Sequence, residues 1–439
     1  CSAPLQFRVE RVAQTVAHQV DGQNGHEDRE TGEGYDPPGA QDEFAGFGEH
    51  GAPFGRGRSD AEADERQARR VQDRVLVHRD DVPVPRPAPG QVLVRVTATA
   101  KNNTDRKARE GLYPTKDKDE VASFQMGGSA TLTFPRIQGA DVAGRVAAVG
   151  EGVDPARLGE RGLLDFNLYP GDRRDINLTP DYYGHGADGG FAEYVAVPSD
   201  QFHTVDKADL ADAELAAMGM CSYQTALHML TSANVVAGER VLVTGASGGV
   251  GTALIQLCRV LGAIPYALST PDKAGALREL GAEAVLDRSD MDGFTDRVRE
   301  LTGGAPLDAV MDLVGGDMTD RFIDAMIFDM KARNSYPRLS IAGASGGNLS
   351  EIMWTRIYLY QVQVFGVSHG TREEAEQLIG WIRSGELKPV LHAAFKLSDL
   401  HRAEDYFVSR GNNFLGKIVI VPDRQWADFG EPFALKETT

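Results

Sequence analysis

Apolar runs of strand length alternate with segments of helical spacing between residues 206 and 368. The pattern predicts strands at 240–244, 264–269, 284–286, 307–314, 338–342 and 362–367, and helices at 211–230, 250–261, 272–280 and 293–301. Alternation of this kind implies right-handed crossovers and a parallel sheet covered by helices on both faces. We therefore expect residues 206–368 to form an α/β domain.

The flanking regions follow a different pattern. Residues 73–205 contain short alternating strands broken by Pro and Gly, at 75–77, 91–98 and 191–197, and an apolar run at 137–149. Such spacing is typical of a small β-rich domain. In residues 369–439, Thr371 is expected to cap a helix that ends at Arg383, and a strand is predicted at 417–421.

Residues 1–72 resemble neither part. Between Asp21 and Arg70 there is no Val, Leu, Ile or Met, and the first lysine of the chain is Lys101. A segment of this composition buries too little apolar surface to offset its ordering entropy, so we expect it to be disordered. Two interpretations are translation from upstream of the natural start and an interaction tail.

Composition narrows the functional class. The net charge of −18 argues against a nucleic-acid or anionic-membrane surface, and no stretch approaches the ~18 apolar residues that cross a bilayer. Three cysteines are too few for a disulfide framework or a four-cysteine zinc site. We expect a cytoplasmic protein with neither nucleic-acid nor membrane partners.

A glycine-rich turn joins the first strand of the α/β domain to its helix. In the sequence GASGGVG at 245–251, Gly245, Gly248 and Gly251 are three apart. The first permits the tight turn, the second lets the backbone approach a pyrophosphate, and the third lets helix pack on strand. The helix N-terminus then offers unpaired N–H groups to the phosphates. The predicted cofactor contacts of this turn are Gly245, Ser247, Gly248, Gly249, Val250 and Gly251.

The residues after the second strand favour NADPH over NADH. An acidic side chain there binds the ribose hydroxyls of NAD. Here Ser269 stands near that position and Lys273 is in reach of a 2′-phosphate, while Asp272 is expected to open the next helix.

The same turn also fits the G-x-S-x-G nucleophile elbow of hydrolases, as does 343–347. His369, His392 or His401 would then supply the base. Glycine spacing explains the first copy better, and the second copy lacks an apolar helix directly after it.

Four motifs in order resemble the medium-chain dehydrogenases/reductases: 83–96, FPRIQGADVAG at 134–144, GGFAEYV at 189–195, and the turn at 245–251. The resemblance covers roughly residues 74–422. It implies a GroES-like β-rich catalytic domain at 73–205, an inserted Rossmann NADP-binding domain at 206–368, and a C-terminal return to the catalytic domain at 369–439. Family members also begin with a strand before Arg74, but the sequence at 59–65 has no strand pattern. The first strand is therefore either missing or replaced, and its loss would expose a sheet edge.

The resemblance is to the zinc-independent branch, which contains quinone oxidoreductases and enoyl reductases. Zinc-dependent members hold the metal with two cysteines and a histidine, and here those positions are Asn102, Ala140 and Cys221. One soft ligand without its partners does not make a zinc site. We therefore expect no metal, and a buried, unreactive Cys221.

The resemblance implies the remaining site residues. Asn102, Asp105, Gly111 and Tyr113 would line the nicotinamide pocket, with Lys107 departing from the usual aromatic residue. Along the cofactor it places Thr225, Val314, Gly343, Phe365 and Val367, and in a cleft-closing C-terminal stretch Asn413 and Lys417.

Without a metal, alcohol oxidation is disfavoured, because no Lewis acid polarises the oxygen. We expect NADPH-dependent hydride transfer to a small-molecule electron acceptor, either a quinone or the β-carbon of an α,β-unsaturated carbonyl compound. Asn102 or Tyr113 would stabilise the developing oxyanion, with Asp105 beside them. The alternatives are a non-catalytic NADPH-binding redox sensor and an alcohol dehydrogenase-like enzyme acting on another carbonyl/alcohol pair. The resemblance also implies a homodimer through the Rossmann sheet edge.

Overall fold

The computed structural model describes residues 11–19, 74–110, 132, 134–169, 181–207, 209–347, 349–409 and 414–435. Within these ranges the strands form three sheets. No helix in the described part is both long and apolar enough to cross a membrane.

The strands are β1 Arg11–Gln19, β2 Arg74–Pro83, β3 Gln91–Ala100, β4 Arg136–Ile137, β5 Ala143–Val149, β6 Arg161–Leu164, β7 Tyr194–Pro198, β8 Phe202–Thr204, β9 Arg240–Val243, β10 Ile264–Ser269, β11 Ala284–Asp287, β12 Ala309–Asp312, β13 Arg338–Ile341, β14 Gln363–Gly366, β15 Leu391–Lys396 and β16 Lys417–Val421. The described helices are α1 Asn103–Arg109, α2 Asp212–Ala217, α3 Met220–Ser232, α4 Gly249–Val260, α5 Ala274–Leu280, α6 Phe294–Leu301, α7 Thr319–Ile327, α8 Trp354–Leu359, α9 Arg372–Ser384, α10 Leu400–Ser409 and α11 Trp426–Phe429.

A six-stranded parallel sheet confirms the predicted α/β fold. Its order is β11-β10-β9-β12-β13-β14, with every neighbouring pair parallel. The strand order reverses between β9 and β12, and ligands of such sheets bind at the carboxyl ends near this reversal. Two apolar cores cover the faces of the sheet, one of them shared with α3 and α4.

The second sheet is β-rich and mostly antiparallel, as expected of a GroES-like domain. Its order is β15-β16-β3-β5-β6-β8, with β7 also pairing with β3. The C-terminal strand β16 joins β3 through the pairs Val419↔Ala100 and Ile420↔Thr99. The chain therefore returns from the parallel sheet to the first domain, and this return carries Lys417 to the end of β3.

The prediction that residues 1–72 are disordered is wrong for residues 11–19. They form β1, which pairs antiparallel with β2 from Arg11↔Pro83 to Gln19↔Arg74, and also with β4. This run precedes the stretch that lacks Val, Leu, Ile and Met, and it includes Val12, Thr15 and Val16, whose branched side chains favour strands. A strand therefore does precede β2, and it covers an edge of β2. The segment 59–65, where it was sought, lies outside the described residues.

The single helix predicted over 211–230 is two helices, α2 and α3, separated at Gly219. A Cβ at Gly219 would lie 2.1 Å from Cγ of Asp141, so only glycine fits against this carboxylate. The predicted cap of α9 is confirmed, since Thr371 Oγ1 accepts a hydrogen bond from Glu374 N at 3.2 Å. The sequence analysis also did not predict α1, α7, α8, α10, α11, β6, β8 or β15.

Candidate active site

The glycine turn has the geometry of a phosphate cradle. Gly245 has a φ of +55°, which favours glycine, and a Cβ at Gly251 would lie 2.4 Å from Gly245 O. At Gly248 the only neighbour among the described residues within 4 Å of an added Cβ would be Gly245 O, at 3.5 Å. The space above Gly248 is therefore open, at the N-terminus of α4, where a pyrophosphate fits. These residues fit a dinucleotide.

A buried ammonium group lies beside this turn. The Lys417 side chain crosses Gly249, since a Cβ there would lie 2.4 Å from Lys417 Cδ. Its Nζ donates hydrogen bonds to Asn102 Oδ1 and, at 2.9 Å, to Ser222 Oγ, and lies 3.4 Å from Asp141 Oδ2. We call Asn102, Asp141, Ser222 and Lys417 the lysine cluster. It joins the predicted cofactor turn to the predicted nicotinamide pocket.

Asn102 is held at both ends of its amide. Its Nδ2 donates to Ala100 O at 3.2 Å and to Asp141 Oδ2 at 2.9 Å, while its Oδ1 accepts from Lys417. Both amide hydrogens are thus in use in this arrangement, and none is left for a bound acceptor. In this arrangement Asn102 orients the carboxylate of Asp141 and the ammonium of Lys417.

Asp105 lies in the first turn of α1, behind Asn102. Its carboxylate accepts hydrogen bonds from Asn102 N at 2.7 Å and from Ala140 N at 3.2 Å. Burial raises the pKa of Asp105 to about 6, although the nearby Lys101 opposes this rise. Lys101 itself is buried and forms an ion pair with Glu404 at 2.7 Å. Asp105 therefore fixes the backbone that carries Asn102.

The residues at the family's metal positions do not fit a zinc ion. Asn102 is committed to its cluster, Ala140 has no ligand atom, and Cys221 is the remaining sulfur donor. Burial raises the pKa of Cys221 well above its ordinary value, and Asp141 adds to the rise, so without a bound cation this group is a neutral thiol. Within the described ranges, no group of three or more His, Cys, Asp and Glu is arranged to hold a metal.

The residues predicted to select the cofactor lie at the carboxyl end of β10. Ser269 ends the strand, and Lys273 follows in a short 3-10 turn with its side chain largely buried. Burial is the main cause that lowers the pKa of Lys273. The Asp272 carboxylate opposes this lowering, and repulsion from Arg288 adds to it. Arg288, which sequence reasoning missed, is exposed, and its backbone N–H binds Ser269 O at 2.9 Å.

Of the other predicted cofactor residues, Thr225 lies on a helix, and the rest lie at or just after the carboxyl ends of parallel strands. Thr225 on α3 donates to Cys221 O at 2.7 Å, Val314 follows β12, and Gly343 packs under it, where a Cβ would lie 2.5 Å from Leu313 O. Phe365 and Val367 lie at the end of β14. Gly111, Tyr113 and Asn413 lie outside the described residues.

Among the described residues, neither serine of the two hydrolase-like motifs has a histidine base. Ser247 is buried in the glycine turn, and Ser345 donates to Leu313 O at 3.2 Å. Across the described residues, no histidine forms a hydrogen bond with either hydroxyl. The turn at 343–347 instead packs on the loop after β12, through the Gly315↔Gly347 bridge.

The sequence analysis missed the partners of Lys417. Asp141 lies inside the motif at 134–144 and Ser222 lies next to Cys221, but neither was assigned a role, and they lie 276 and 195 residues from Lys417 in the chain. A usable signal was the charge of Asp141 inside an otherwise apolar run, since a charge there needs a partner.

Comparison with known proteins agrees with this architecture. Residues 88–207 match the alcohol dehydrogenase GroES-like domain, and residues 249–384 match the zinc-binding dehydrogenase domain. A solved structure from Sinorhizobium meliloti 1021, provisionally named an alcohol dehydrogenase, is 44% identical, with a TM-score of 0.72 over 79% of this chain and 93% of that one.

More distant relatives carry several activities in their names. An NAD-dependent alcohol dehydrogenase of Sulfolobus acidocaldarius is 26% identical over 74% of this chain and 91% of its own length. A crotonyl-CoA reductase of Streptomyces collinus is 28% identical over 81% and 83%. A quinone oxidoreductase of Sus scrofa is 26% identical over 79% and 94%. The chain therefore belongs to the medium-chain dehydrogenase/reductase family, the alcohol dehydrogenase superfamily of nicotinamide-dependent oxidoreductases.

Proposed function

We propose that this protein transfers hydride from NADPH to a quinone or to the β-carbon of an α,β-unsaturated carbonyl compound, without a zinc ion. The observation that carries the proposal is the lysine cluster. Where related enzymes place a metal among three ligands, this chain places Asn102 hydrogen-bonded to the ammonium of Lys417, beside Asp141.

The residues suit an acceptor that needs little activation. Bound NADPH supplies the hydride, and a conjugated acceptor delocalises the charge that the hydride brings. The protein then has to position the two molecules and exclude water. Asn102 orients the cluster, Lys417 places a positive charge beside the glycine turn, and Asp105 holds Asn102 in place through its backbone.

The names of two relatives support the acceptor class. Quinone oxidoreductase and crotonyl-CoA reductase are named for quinone and conjugated acyl acceptors. The measurement that tests the class is NADPH consumption across a panel of quinones and enones. Consumption is expected with at least one of them and is lost in Gly248→Asp, which has room for its side chain but places a carboxylate in the cradle. No consumption with any member of the panel refutes the proposal.

Independence from zinc has its own test. Purified protein should contain less than one tenth of an equivalent of zinc, and activity should survive dialysis against a chelator. Stoichiometric zinc whose removal abolishes activity contradicts the proposal.

NADPH is favoured by the charges after β10. Lys273 and Arg288 place two cations near Ser269, and no acidic side chain ends the strand. Since a 2′-phosphate interacts with both cations, Lys273→Ala and Arg288→Ala should each weaken NADPH binding about tenfold and leave NADH binding within twofold. Tighter binding of NADH than NADPH by the unmodified protein refutes this choice.

A second candidate is an alcohol dehydrogenase, favoured by the name of the 44% identical structure. It predicts NADP-dependent oxidation of an alcohol at rates above the reduction of any enone or quinone. Tight NADPH binding without turnover of any substrate would instead indicate a redox sensor.

We also propose a homodimer through the edge strand β14. Its side chains are largely exposed, and the neighbouring α8 exposes Trp354, Tyr358 and Leu359. An exposed strand edge beside an apolar patch is suited to pairing with a second copy. Sedimentation should show a dimer that Val364→Lys converts to a monomer. A monomeric unmodified protein contradicts the proposal.

A further inference from the structure

Lys101 is a fully buried lysine that directly follows strand β3. Its side chain has 0% exposure, and the rings of Phe191 and Phe407 lie 6.0 Å and 5.3 Å from its ammonium nitrogen. A charge is seldom buried in such surroundings without a partner, because its removal from water is costly. The burial of Lys101 therefore depends on the groups that its ammonium contacts.

The ion-pair partner of Lys101 comes from the C-terminal return of the chain. Glu404 lies on α10, with Oε1 at 2.7 Å from Lys101 Nζ and Oε2 at 3.0 Å from the guanidinium of Arg109. Burial favours the neutral form of this carboxyl, but the two cations outweigh burial and hold the pKa of Glu404 below its ordinary value. Lys101 lies just before α1 and Arg109 is its last residue, so Glu404 holds this helix at both ends.

Lys101 also holds Asn102, the residue that begins α1. Its Nζ donates a hydrogen bond to the backbone oxygen of Asn102 at 3.2 Å, while the side-chain oxygen of Asn102 accepts from Lys417. Asp105 accepts from the backbone N–H of Asn102 at 2.7 Å, and Asp141 accepts from its Nδ2 at 2.9 Å. Four charged side chains therefore fix Asn102, and Lys101 is the one that Glu404 holds.

We propose that Glu404 is a positioning residue for hydride transfer, which fixes Lys101 and, through it, Asn102 and the lysine cluster. The inference rests on the function proposed above and adds a residue that acts only through its neighbours. Without the Glu404 carboxylate, Asp105 Oδ2, now 3.9 Å from Lys101 Nζ, is another carboxylate in reach of the ammonium.

A turn of Lys101 towards Asp105 would displace Asn102 in two ways. The hydrogen bond to Asn102 O would be lost, and the ammonium would compete with the Asn102 N–H for the Asp105 carboxylate. Asn102 carries the contacts to Lys417 and Asp141 beside the glycine turn. Because hydride transfer depends steeply on the placement of donor and acceptor, a small shift should slow the chemical step more than it weakens cofactor binding.

The test compares Glu404→Gln with Asp405→Asn, at an exposed position on the same helix. Glutamine keeps the size of the side chain and removes its charge. In single turnovers with the fastest acceptor of the quinone and enone panel, Glu404→Gln should oxidise NADPH about tenfold more slowly or worse, with the Kd for NADPH within about threefold. NADPH deuterated at C4 of the nicotinamide identifies the hydride step in these measurements. Asp405→Asn should equal the unmodified protein.

A double variant separates positioning from stability. Glu404→Gln leaves a buried ammonium without its carboxylate, so its midpoint of urea unfolding should fall. Adding Lys101→Met removes the uncompensated charge, and the midpoint should recover in part. The single-turnover rate should stay low, because methionine donates no hydrogen bond to Asn102 O. A rate that recovers together with the midpoint overturns the inference, since Glu404 would then matter only for folding.

A measurement without turnover keeps the inference distinct from the proposed function. The fluorescence lifetime of bound NADPH reports how firmly the nicotinamide is held, and it should be shorter in Glu404→Gln and in the double variant than in Asp405→Asn. Equal lifetimes overturn the inference, as does an unchanged single-turnover rate in Glu404→Gln. If the unmodified protein reduces no acceptor, the proposed function fails, and the lifetimes decide whether Glu404 positions the bound cofactor.

Discussion

The glycine turn and the lysine cluster touch at Gly249 but are built in opposite ways. The turn is a contiguous run of seven residues whose shape comes from missing side chains. The cluster is assembled from four side chains spread between Asn102 and Lys417. The turn therefore depends on the space around its backbone, and the cluster depends on charge compensation. The glycine turn and the lysine cluster should therefore respond differently to substitution.

The largest effect is expected in the turn, at Gly251. A Cβ there would lie 2.4 Å from Gly245 O and 2.6 Å from Cα of Ala246, and both are backbone atoms that cannot move aside. Gly251→Val should abolish NADPH binding and destabilise the fold by about 3 kcal/mol. Fluorescence titration with NADPH and urea unfolding measure the two effects.

Gly275 supplies the matched control for this substitution. An added Cβ there meets no described atom within 4 Å, and the residue lies inside α5. Gly275→Ala should raise stability by about 1 kcal/mol, because alanine is the better helix former, and should leave NADPH binding unchanged. If Gly251→Val binds NADPH normally, the turn is not the phosphate cradle.

The second-largest effect is expected when a substitution upsets the charge balance of the lysine cluster. Lys417→Met leaves the buried Asp141 carboxylate without its ammonium partner, and removing one member of a buried pair costs about 3 kcal/mol or more. In the Lys417→Met background, Asp141→Asn should recover part of that loss, because the unpaired charge is gone. Urea unfolding of the single and double variants measures the coupling.

The exposed Lys331 gives the control for Lys417. Lys331→Met should change the free energy of unfolding by no more than about 0.5 kcal/mol. Additive effects of the Lys417 and Asp141 substitutions would show that the two groups do not compensate each other.

The turn and the parallel sheet could be predicted from sequence, since every determinant of the turn lies within seven residues. Strand β10 was predicted at its observed limits for the same reason, because an apolar run bounded by polar residues is a local signal. The lysine cluster was only partly predictable. Lys417 and Asn102 are 315 residues apart, and their contact exists only because β16 returns to pair with β3.

The break at Gly219 was missed for a related reason. The helical pattern of 211–230 is continuous, and the break depends on the Asp141 carboxylate, which packs against Gly219 from another element. Local patterns thus predicted the frame that binds the cofactor, whereas the chemistry around the acceptor depends on long-range contacts.

The buried carboxyl group of Asp105 should make the free energy of unfolding depend on pH. Its pKa is raised by burial from 3.8 to about 6, so the folded state holds the proton to higher pH than the unfolded state does. Stability contributed by the protonated carboxyl is present below pH 4 and is lost as the pH rises to 6. Relative to Asp105→Asn, the unmodified protein should therefore lose up to about 3 kcal/mol between pH 4 and pH 7.

This comparison requires unfolding curves of both proteins at several pH values. Asp428→Asn, at an exposed position, should show the same pH dependence as the unmodified protein. If the unmodified protein instead gains stability relative to Asp105→Asn as the pH rises, then Lys101 outweighs burial and Asp105 is ionised.

The smallest effect is expected at Ser222, a neutral member of the cluster. Its Oγ accepts from Lys417 Nζ at 2.9 Å, while Asn102 and Asp141 remain as partners of the ammonium when the hydroxyl is removed. The hydroxyl also donates a longer hydrogen bond to Asn102 Oδ1, at 3.4 Å. Ser222→Ala should therefore cost about 1–2 kcal/mol, measured against the exposed Ser384→Ala as control. A cost as large as that of Lys417→Met would mean that the serine, rather than the carboxylate, holds the ammonium in place. The cluster would then depend on one hydroxyl contact, as the turn depends on the space at one glycine.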